Sequence, residues 1–361
     1  MVRIGTDAGL AAVGIATAEA FTGTRAILHD RRRAGLHGGM QFTYRNPDRS
    51  TDPGRVLEDA RSLVVGAWGY RRDDPSHGAG SPGSADPVPP HRPAGAVARY
   101  ARLDHYALLR DALGRVADRL RDDGWRARVV VDDNALVDRA AAQRAGLGWY
   151  GRNTLVLLPG LGSWFVLGSV VTDAPLRPTP PTGHSAPAAG CGTCRRCVAA
   201  CPTGALVADG VLDARRCLAW LLQATGPFPV EHRVALGGRI YGCDECQEVC
   251  PVNRAGDRRR PPAEAEDGTV ATVDLLSILD ASDEELVARN GRWYLAGRDP
   301  RYLRRNALVA LGNVGDARDA ATVAALARWA DGDDALLAEH ARWALGRLHG
   351  GGAGAGTGAV R

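Results

Sequence analysis

The chain has 361 residues, 45% of them hydrophobic and 24% charged, with a formal net charge of +4, a composition that suits a globular protein of two or three domains. No apolar run reaches the roughly 18 residues needed to cross a bilayer, and no basic segment followed by an apolar core opens the chain, so neither a membrane span nor a secretory leader is expected. All 45 basic residues are arginine, so any phosphate contact is made by a guanidinium fork, and the bias fits the heavy use of Ala, Gly and Val.

Residues 10–21 form an amphipathic start, followed by a polar stretch rich in arginine and glycine. Ser62–Gly69 reads as a buried strand. Residues 71–97 are rich in Pro, Gly, Ser and Asp and predict a long loop, either a lid or a disordered segment. Leu108, Leu109, Leu113, Val116 and Leu120 recur at helical spacing and predict a helix over 106–120. Residues 128–131 predict a short strand that ends at Asp132, Asp133 and Asn134, and 135–145 predict a helix stopped by Gly146. Residues 155–158 and 164–171 predict two further strands joined by the turn at Pro159, Gly160, Leu161 and Gly162. Strands alternating with helices over 1–175 predict an α/β layer, and 175–187 a proline-rich linker.

All eight cysteines fall within the next 60 residues. Cys191, Cys194, Cys197 and Cys201 with Pro202 read C-x2-C-x2-C-x3-C-P; Cys243, Cys246 and Cys250 with Pro251 read C-x2-C-x3-C-P; Cys217 stands between the runs. Three cysteines at two-residue gaps followed by Cys-Pro form the bacterial ferredoxin run, and in two-cluster ferredoxins the last Cys of a run ligates the other cluster. That rule assigns Cys191, Cys194, Cys197 and Cys250 to a first [4Fe–4S] cluster. Cys201, Cys243 and Cys246 then form a second, with Cys217 as its fourth ligand. Two structural zinc ions are the competing reading, because C-x2-C pairs also bind zinc; a disulfide framework fits poorly without a secretory leader.

The last hundred residues change character. Residues 305–313 are echoed by 339–347 at an offset of 34, with Ala307, Ala310, Leu311 and Gly312 recurring as Ala341, Ala344, Leu345 and Gly346. This pattern predicts a short helical repeat array, and two repeats bury too little alone, so docking on the preceding part is expected. The glycine-rich tail after 350 predicts disorder.

Clusters carry electrons, so another site must break bonds. Gly146, Gly148 and Gly151 match G-x-G-x-x-G but follow a helix, which makes a dinucleotide turn a poor reading and a loop approaching a large ligand a better one. Asp132 or Asp133, at the end of a valine-rich strand, suits a general acid; a helix cap at Ala135 is the alternative. Arg139 suits an anionic group, or else a solvated surface.

These segments together resemble the tRNA epoxyqueuosine reductase family, cobalamin-dependent iron–sulfur proteins. The resemblance is carried by residues 35–38, 62–65, Arg99 and Tyr100, 104–106, Val131 and Asp132, and 138–140. It continues through Gly146 and Gly148, Arg152 and Asn153, Gly162 and Ser163, both cysteine runs, 304–307 and 310–312. The resemblance implies reduction of epoxyqueuosine to queuosine at the tRNA wobble position, the last step of that modification. Electrons would pass through two clusters to a base-off cobalamin, with Asp132 as proton donor. It places Asp132, Arg139, Val156, Leu167 and Thr225 at the cobalamin and HEAT-like repeats against the tRNA. The basic groups Arg301, Arg304 and Arg305, and Arg258, Arg259 and Arg260, suit phosphate contacts.

The expected architecture is an α/β cobalamin-binding catalytic domain (1–180), a bacterial-ferredoxin-like two-cluster domain (181–260), an all-α HEAT-like repeat domain (261–350) and a disordered tail (351–361). A cytoplasmic monomer served by an external electron donor is expected, without membrane attachment. The sequence departs from the family after His37, where Gly38-Gly-Met-Gln-Phe-Thr43 replaces an acidic residue and a tryptophan. The runner-up is a reductive dehalogenase-like cobalamin protein, and an electron-transfer ferredoxin module is a third reading. The first would carry an export signal and no repeat domain; the second leaves the N-terminal part without a role.

Overall fold

The computed structural model describes residues 1–72, 88–180, 189–259, 264 and 268–350. The middle of the expected 71–97 loop, the end of the proline-rich linker, Arg260 and the 351–361 tail lie outside the described residues. The described strands are β1 (Ala12–Thr17), β2 (Ser62–Gly69), β3 (Ala94–Val97), β4 (Ala127–Val131), β5 (Trp149–Tyr150), β6 (Val156–Leu157), β7 (Phe165–Thr172), β8 (Leu206–Ala208), β9 (Val211–Leu212), β10 (Arg239–Tyr241) and β11 (Thr272–Asp274). The helices are α1 (Val2–Asp7), α2 (Thr22–Arg33), α3 (Pro47–Ser50), α4 (His105–Asp122), α5 (Asp138–Arg144), α6 (Arg196–Ala200), α7 (Leu218–Leu221), α8 (Val230–Leu236), α9 (Glu245–Glu248), α10 (Pro251–Arg259), α11 (Leu275–Asp280), α12 (Asp283–Asn290), α13 (Arg301–Val314), α14 (Ala320–Ala330) and α15 (Ala335–Gly350).

Two compact units emerge, each assembled from three separate stretches of chain. The first comprises Met1–Asp73, Leu103–Cys217 and Asp244–Ala265; the second comprises Asp74–Arg102, Leu218–Cys243 and Glu266–Arg361. The units cut across the boundaries 1–180, 181–260 and 261–350. The reason is pairing between distant segments: β3 lies between β10 and β11 in one small sheet, which draws residues 94–97 into the second unit.

The first unit is built on a four-stranded sheet in the order β1-β2-β7-β4, and every pairing in it is antiparallel. Alternation along the strands sends side chains to opposite faces. Leu63, Val65, Ala67, Val130 and Val171 pack under α5 through Ala140, Ala141 and Ala142, while Leu113 of α4 lies against Gly66 and Gly168 on the other face. Helix α4 starts because the Asp104 side chain accepts the Ala107 N–H, and its buried Leu109, Leu113, Val116 and Leu120 repeat at helical spacing. Residues 155–158 and 164–171 do not pair with one another. Instead β6 pairs with β5, and β7 enters the main sheet between β2 and β4, whose long apolar runs bury both of its edges.

In the second unit the C-terminal helices share one core with the β3–β10 region. Val97, Ala101, Ile240 and Tyr241 pack with Leu303, Ala307, Leu308 and Leu311 of α13 and with Leu337, Ala341 and Ala344 of α15. The repeated alanines thus mark a helix–helix contact, and the helices do draw on preceding segments for burial. Gly312 lets α15 approach, since a Cβ there would lie 2.7 Å from the Trp343 ring and 2.9 Å from the Ala344 Cα. The equivalent Gly346 has nothing within 4 Å, so the second copy of the motif does not repeat that contact.

Candidate functional site

Strand β4 ends on the pair Val131–Gly168, which leaves Asp132 one step further and abreast of Leu167. Asp132 has φ +52°, a left-handed conformation that costs a side-chain-bearing residue about 1–3 kcal/mol. Neither aspartate caps a helix, because α5 begins only at Asp138 and its N-cap position, Val137, has no side-chain cap. Asp133 accepts the Ala135 N–H at 2.8 Å and closes the turn, while no described residue hydrogen-bonds the Asp132 carboxyl. Desolvation raises the Asp132 carboxyl above the usual carboxylate range; Arg110 opposes the rise, and Asp104 and Asp133 add to it. The group still meets solvent, so the rise reflects crowding by protein rather than enclosure.

The first turn of α5 adds two further charges. Asp138 Oδ1 is buried without a partner, and burial pushes this carboxyl well above its ordinary range, with Asp132 the next contributor. Arg139 is exposed and donates to the Thr154 carbonyl at 3.1 Å. Burial holds the Tyr150 phenol at about 12, with Arg139 and Arg31 pulling it down and Asp138 pushing it up, so all four residues share one neighbourhood. Val156 is buried in the core under the sheet, and Leu167, Val137, Tyr150, Leu161 and Phe165 are partly buried against that same core. In the sequence, Asp138 stands out only within the resembling stretch 138–140, without a role of its own, and Tyr150 has none either. A lone acidic residue opening a helix and a lone tyrosine in a short strand carry no spacing signal.

The glycines of the G-x-G-x-x-G match serve packing. A Cβ on Gly148 would lie 2.1 Å from the Leu157 carbonyl oxygen, so only glycine permits the β5–β6 pairing. Gly146, at φ +73°, ends α5 as expected.

Burial raises the Cys197 thiol, and its thiol neighbours in order of influence are Cys191, Cys250 and Cys194. Cys250 in turn feels Cys191 and Cys194, so the three cysteines of the first run and the last cysteine of the second lie within electrostatic reach of one another. Trp149 and Leu157 pack against Cys191 and the buried Cys250. The Thr203 hydroxyl lies 3.9 Å from the Cys201 sulfur and donates to the carbonyl of Arg216, the residue before Cys217. Cys246 sits on α9, which packs on α6. Cys243 is the last residue of its stretch of the second unit, packed beside the core of Leu218, Leu222 and Phe228. All eight thiols are free of disulfides.

One loop joins these two groups of residues. Arg152 donates to the Cys194 carbonyl, Asn153 donates to the Cys246 carbonyl at 3.4 Å, and the next carbonyl, that of Thr154, receives Arg139. A buried cluster fastens the second run to the same unit. Gln247 Oε1 accepts from the Tyr70 hydroxyl at 3.2 Å and from the Ser163 hydroxyl at 3.0 Å, and Asn253 Oδ1 accepts the Ser163 N–H at 2.7 Å.

The sequence pattern described as a 4Fe-4S double cluster binding domain matches residues 190–253. The epoxyqueuosine reductase of Xanthomonas campestris pv. campestris is 37% identical over 319 residues, covering 86% of this chain and 85% of that protein. The chain belongs to the epoxyqueuosine reductase family. The Bacillus subtilis epoxyqueuosine reductase is 31% identical over 96% of this chain and 86% of its own length. The fold agrees with solved members of the family. A crystal structure of epoxyqueuosine reductase with a tRNA-Tyr epoxyqueuosine-modified stem loop superposes with a TM-score of 0.81 at 30% identity, covering 96% of this chain and 88% of that one. The Streptococcus thermophilus epoxyqueuosine reductase gives 0.82 at 29% identity and the same coverage.

Arg258 and Arg259 end α10 in the first unit, whereas Thr225 and the basic group on α13 belong to the second. Thr225 is exposed between α7 and α8. The basic group on α13 departs from expectation. Arg305 is 0% exposed, and its guanidinium donates to the carbonyls of Ala224 at 2.8 Å, Gly226 at 2.7 Å and Leu221 at 2.9 Å. Arg304 is also buried and is held by Asp283 and the Ala281 carbonyl. Arg301 is paired with Asp299 and Asp334. A buried guanidinium must be satisfied by protein acceptors, so Arg305 and Arg304 are structural rather than phosphate contacts. Arg305 grips the carbonyls on both sides of Thr225.

Proposed function

We propose that this chain reduces epoxyqueuosine to queuosine in tRNA. The observation that carries the reading is the Arg152–Thr154 loop: it meets the carbonyls of two cluster-type cysteines and, one residue later, the arginine beside a carboxyl that has no protein partner. Electrons and a proton are thus served from adjoining parts of one unit.

The residues fit the two cofactors the family uses. Cys191, Cys194, Cys197 and Cys250 would hold one [4Fe–4S] cluster, and Cys201, Cys217, Cys243 and Cys246 the other; the close grouping of the first four thiols supports this set. The partly buried Leu167, the buried Val156, and Arg139 suit a large, mostly apolar ring with polar edges, and Thr225 would complete that cobalamin site. Bound cobalamin supplies a strongly reducing metal centre for the epoxide-bearing ring. Clusters held by the eight cysteines would supply the single electrons that this chemistry needs.

Removing the epoxide oxygen as water consumes two electrons and two protons. Asp132, with its carboxyl raised toward the protonated form, gives a proton to the departing oxygen. Arg139 orients the Thr154 end of the loop and opposes the rise of the Asp138 carboxyl. We read the C-terminal helices as HEAT-like and as part of the tRNA-holding surface, and the protein as a cytoplasmic monomer fed by an external donor. No helix among the described residues is long and apolar enough to cross a membrane.

The deciding test is anaerobic incubation of reconstituted protein with epoxyqueuosine-containing tRNA, cobalamin and a strong reductant, followed by nucleoside analysis. Queuosine appearing only when both cobalamin and reductant are present is expected; unchanged epoxyqueuosine would overturn the reading.

A further inference from the structure

Two residues beyond Asp132, Asn134 forms one wall of a recess of about 420 Å³ whose other walls are Arg45, Asn46 and Arg49. Arg45 and Arg49 are exposed, and no described residue accepts a hydrogen bond or ion pair from either guanidinium. The acid nearest to them in sequence, Asp48, is drawn away toward Arg25 at 3.6 Å and His29 at 3.4 Å. Arg45 and Arg49 thus bring two like charges to one recess, where they repel each other until an anion is shared.

The support under these arginines is rigid. Ser50 and Thr51 are fully buried. The Ser50 hydroxyl donates to the Thr43 carbonyl at 3.1 Å, the Thr51 hydroxyl to the Pro47 carbonyl at 2.7 Å, and Arg25 to the Thr51 hydroxyl at 3.0 Å. The backbone that presents Arg45 and Arg49 is therefore anchored to α2 before any ligand arrives, which reduces the ordering cost of binding.

We infer that Arg45, Arg49 and Asn134 form a phosphodiester-binding subsite for the RNA backbone beside the reacting nucleotide. This rests on the proposed function. A base that reaches Asp132 has to be splayed out of its stack, and its flanking phosphates then need positive partners near that turn. Guanidinium forks and an amide match phosphate oxygens, and they read charge rather than sequence. A phosphate in the tail of cobalamin has the same chemistry, so the test separates the two sources.

The experiment compares wild type with the R45A/R49A and R45K/R49K variants, each carrying its clusters. A modified tRNA stem loop is titrated by fluorescence anisotropy across a salt series, cobalamin is titrated by absorption, and KM and kcat are measured with epoxyqueuosine-containing tRNA. For R45A/R49A, stem-loop affinity and KM are expected to worsen about tenfold, with the split falling on KM rather than kcat. The salt slope should fall by roughly 1.4, the value for two single-strand phosphate contacts. R45K/R49K should keep the salt slope and recover part of the affinity. Unchanged stem-loop affinity and slope in R45A/R49A overturn the inference, as does weakened cobalamin binding with RNA binding intact. Absence of queuosine formation by wild type, with stem-loop binding still dependent on these arginines, would instead count against the catalytic reading alone.

Discussion

Asp132 illustrates how one residue acquires a chemical task from its surroundings. The left-handed turn holds it clear of the Ala135 N–H, which Asp133 takes instead, and crowding raises its carboxyl. Asp132→Asn keeps size and polarity but cannot donate a carboxylic proton. It is expected to lower turnover by at least about 100-fold, the usual contribution of a general acid, while iron content and cobalamin binding stay at wild-type levels. Full activity in this variant would remove Asp132 from its role. The pH dependence has a definite sign. The donor form exists below the raised folded value, so kcat should hold at lower pH and fall as pH rises through it. That falling limb should be absent from whatever residual rate Asp132→Asn retains. Because the folded value lies above the unfolded one, Asp132 favours folding at low pH and loses that contribution as pH rises through the folded value.

Among elements, the turn between β6 and β7 and helix α10 depend on each other. A Cβ on Gly162, where φ is +78°, would lie 2.1 Å from Asn253 Oδ1 and 2.9 Å from its Cα. Gly162→Ala is therefore expected to destabilise the fold by about 2 kcal/mol or more, seen in denaturant melts, with lowered iron content because Asn253 lies three residues beyond Cys250. Helix α15 carries a buried histidine with a different dependence. His340 Nε2 accepts the Phe228 N–H at 3.0 Å and Nδ1 faces the Leu336 carbonyl at 2.7 Å, an arrangement that suits the neutral ring. Burial lowers this imidazole to about 4, with Arg233 acting the same way and the Leu336 carbonyl and Glu339 opposing. The unfolded chain, with an ordinary value of about 6.5, binds the proton first. Stability from this group is complete above about 6.5 and is lost as pH falls toward 4. Thermal melts across that window should show wild type losing more stability than His340→Gln.

At the scale of the molecule, the eight cysteines, none in a disulfide, set the composition of the loaded protein. Anaerobic reconstitution is expected to give about eight iron per chain, two cubane clusters of four; a zinc-only metal content would defeat the cluster assignment and restore the structural-zinc alternative. The two compact units are each stitched from three stretches, so neither corresponds to a segment that could be cut out by sequence. Arg305 shows the consequence. Its place in a run of arginines suggested phosphate, yet it lies wholly inside the second unit, gripping carbonyls at 221–226, and burial lowers it only to about 10, so it stays charged.

Local patterns were legible wherever they carry their own physics. Cysteine spacing is set by the geometry of a cluster, the apolar period of α4 by the helix repeat, and the family resemblance by residues scattered over most of the chain. The strand at Ser62–Gly69 and the stop at Gly146 were equally plain. What the sequence could not decide were the partners of distant segments: that β7 runs between β2 and β4, that β3 joins β10 and β11, which aspartate closes the turn after β4 and which does not, and which arginines are buried. A residue type announces what a side chain can bond to; only the packed chain sets how much water remains around it and which acceptor reaches it first, and those two quantities separate a phosphate-binding arginine from a structural one.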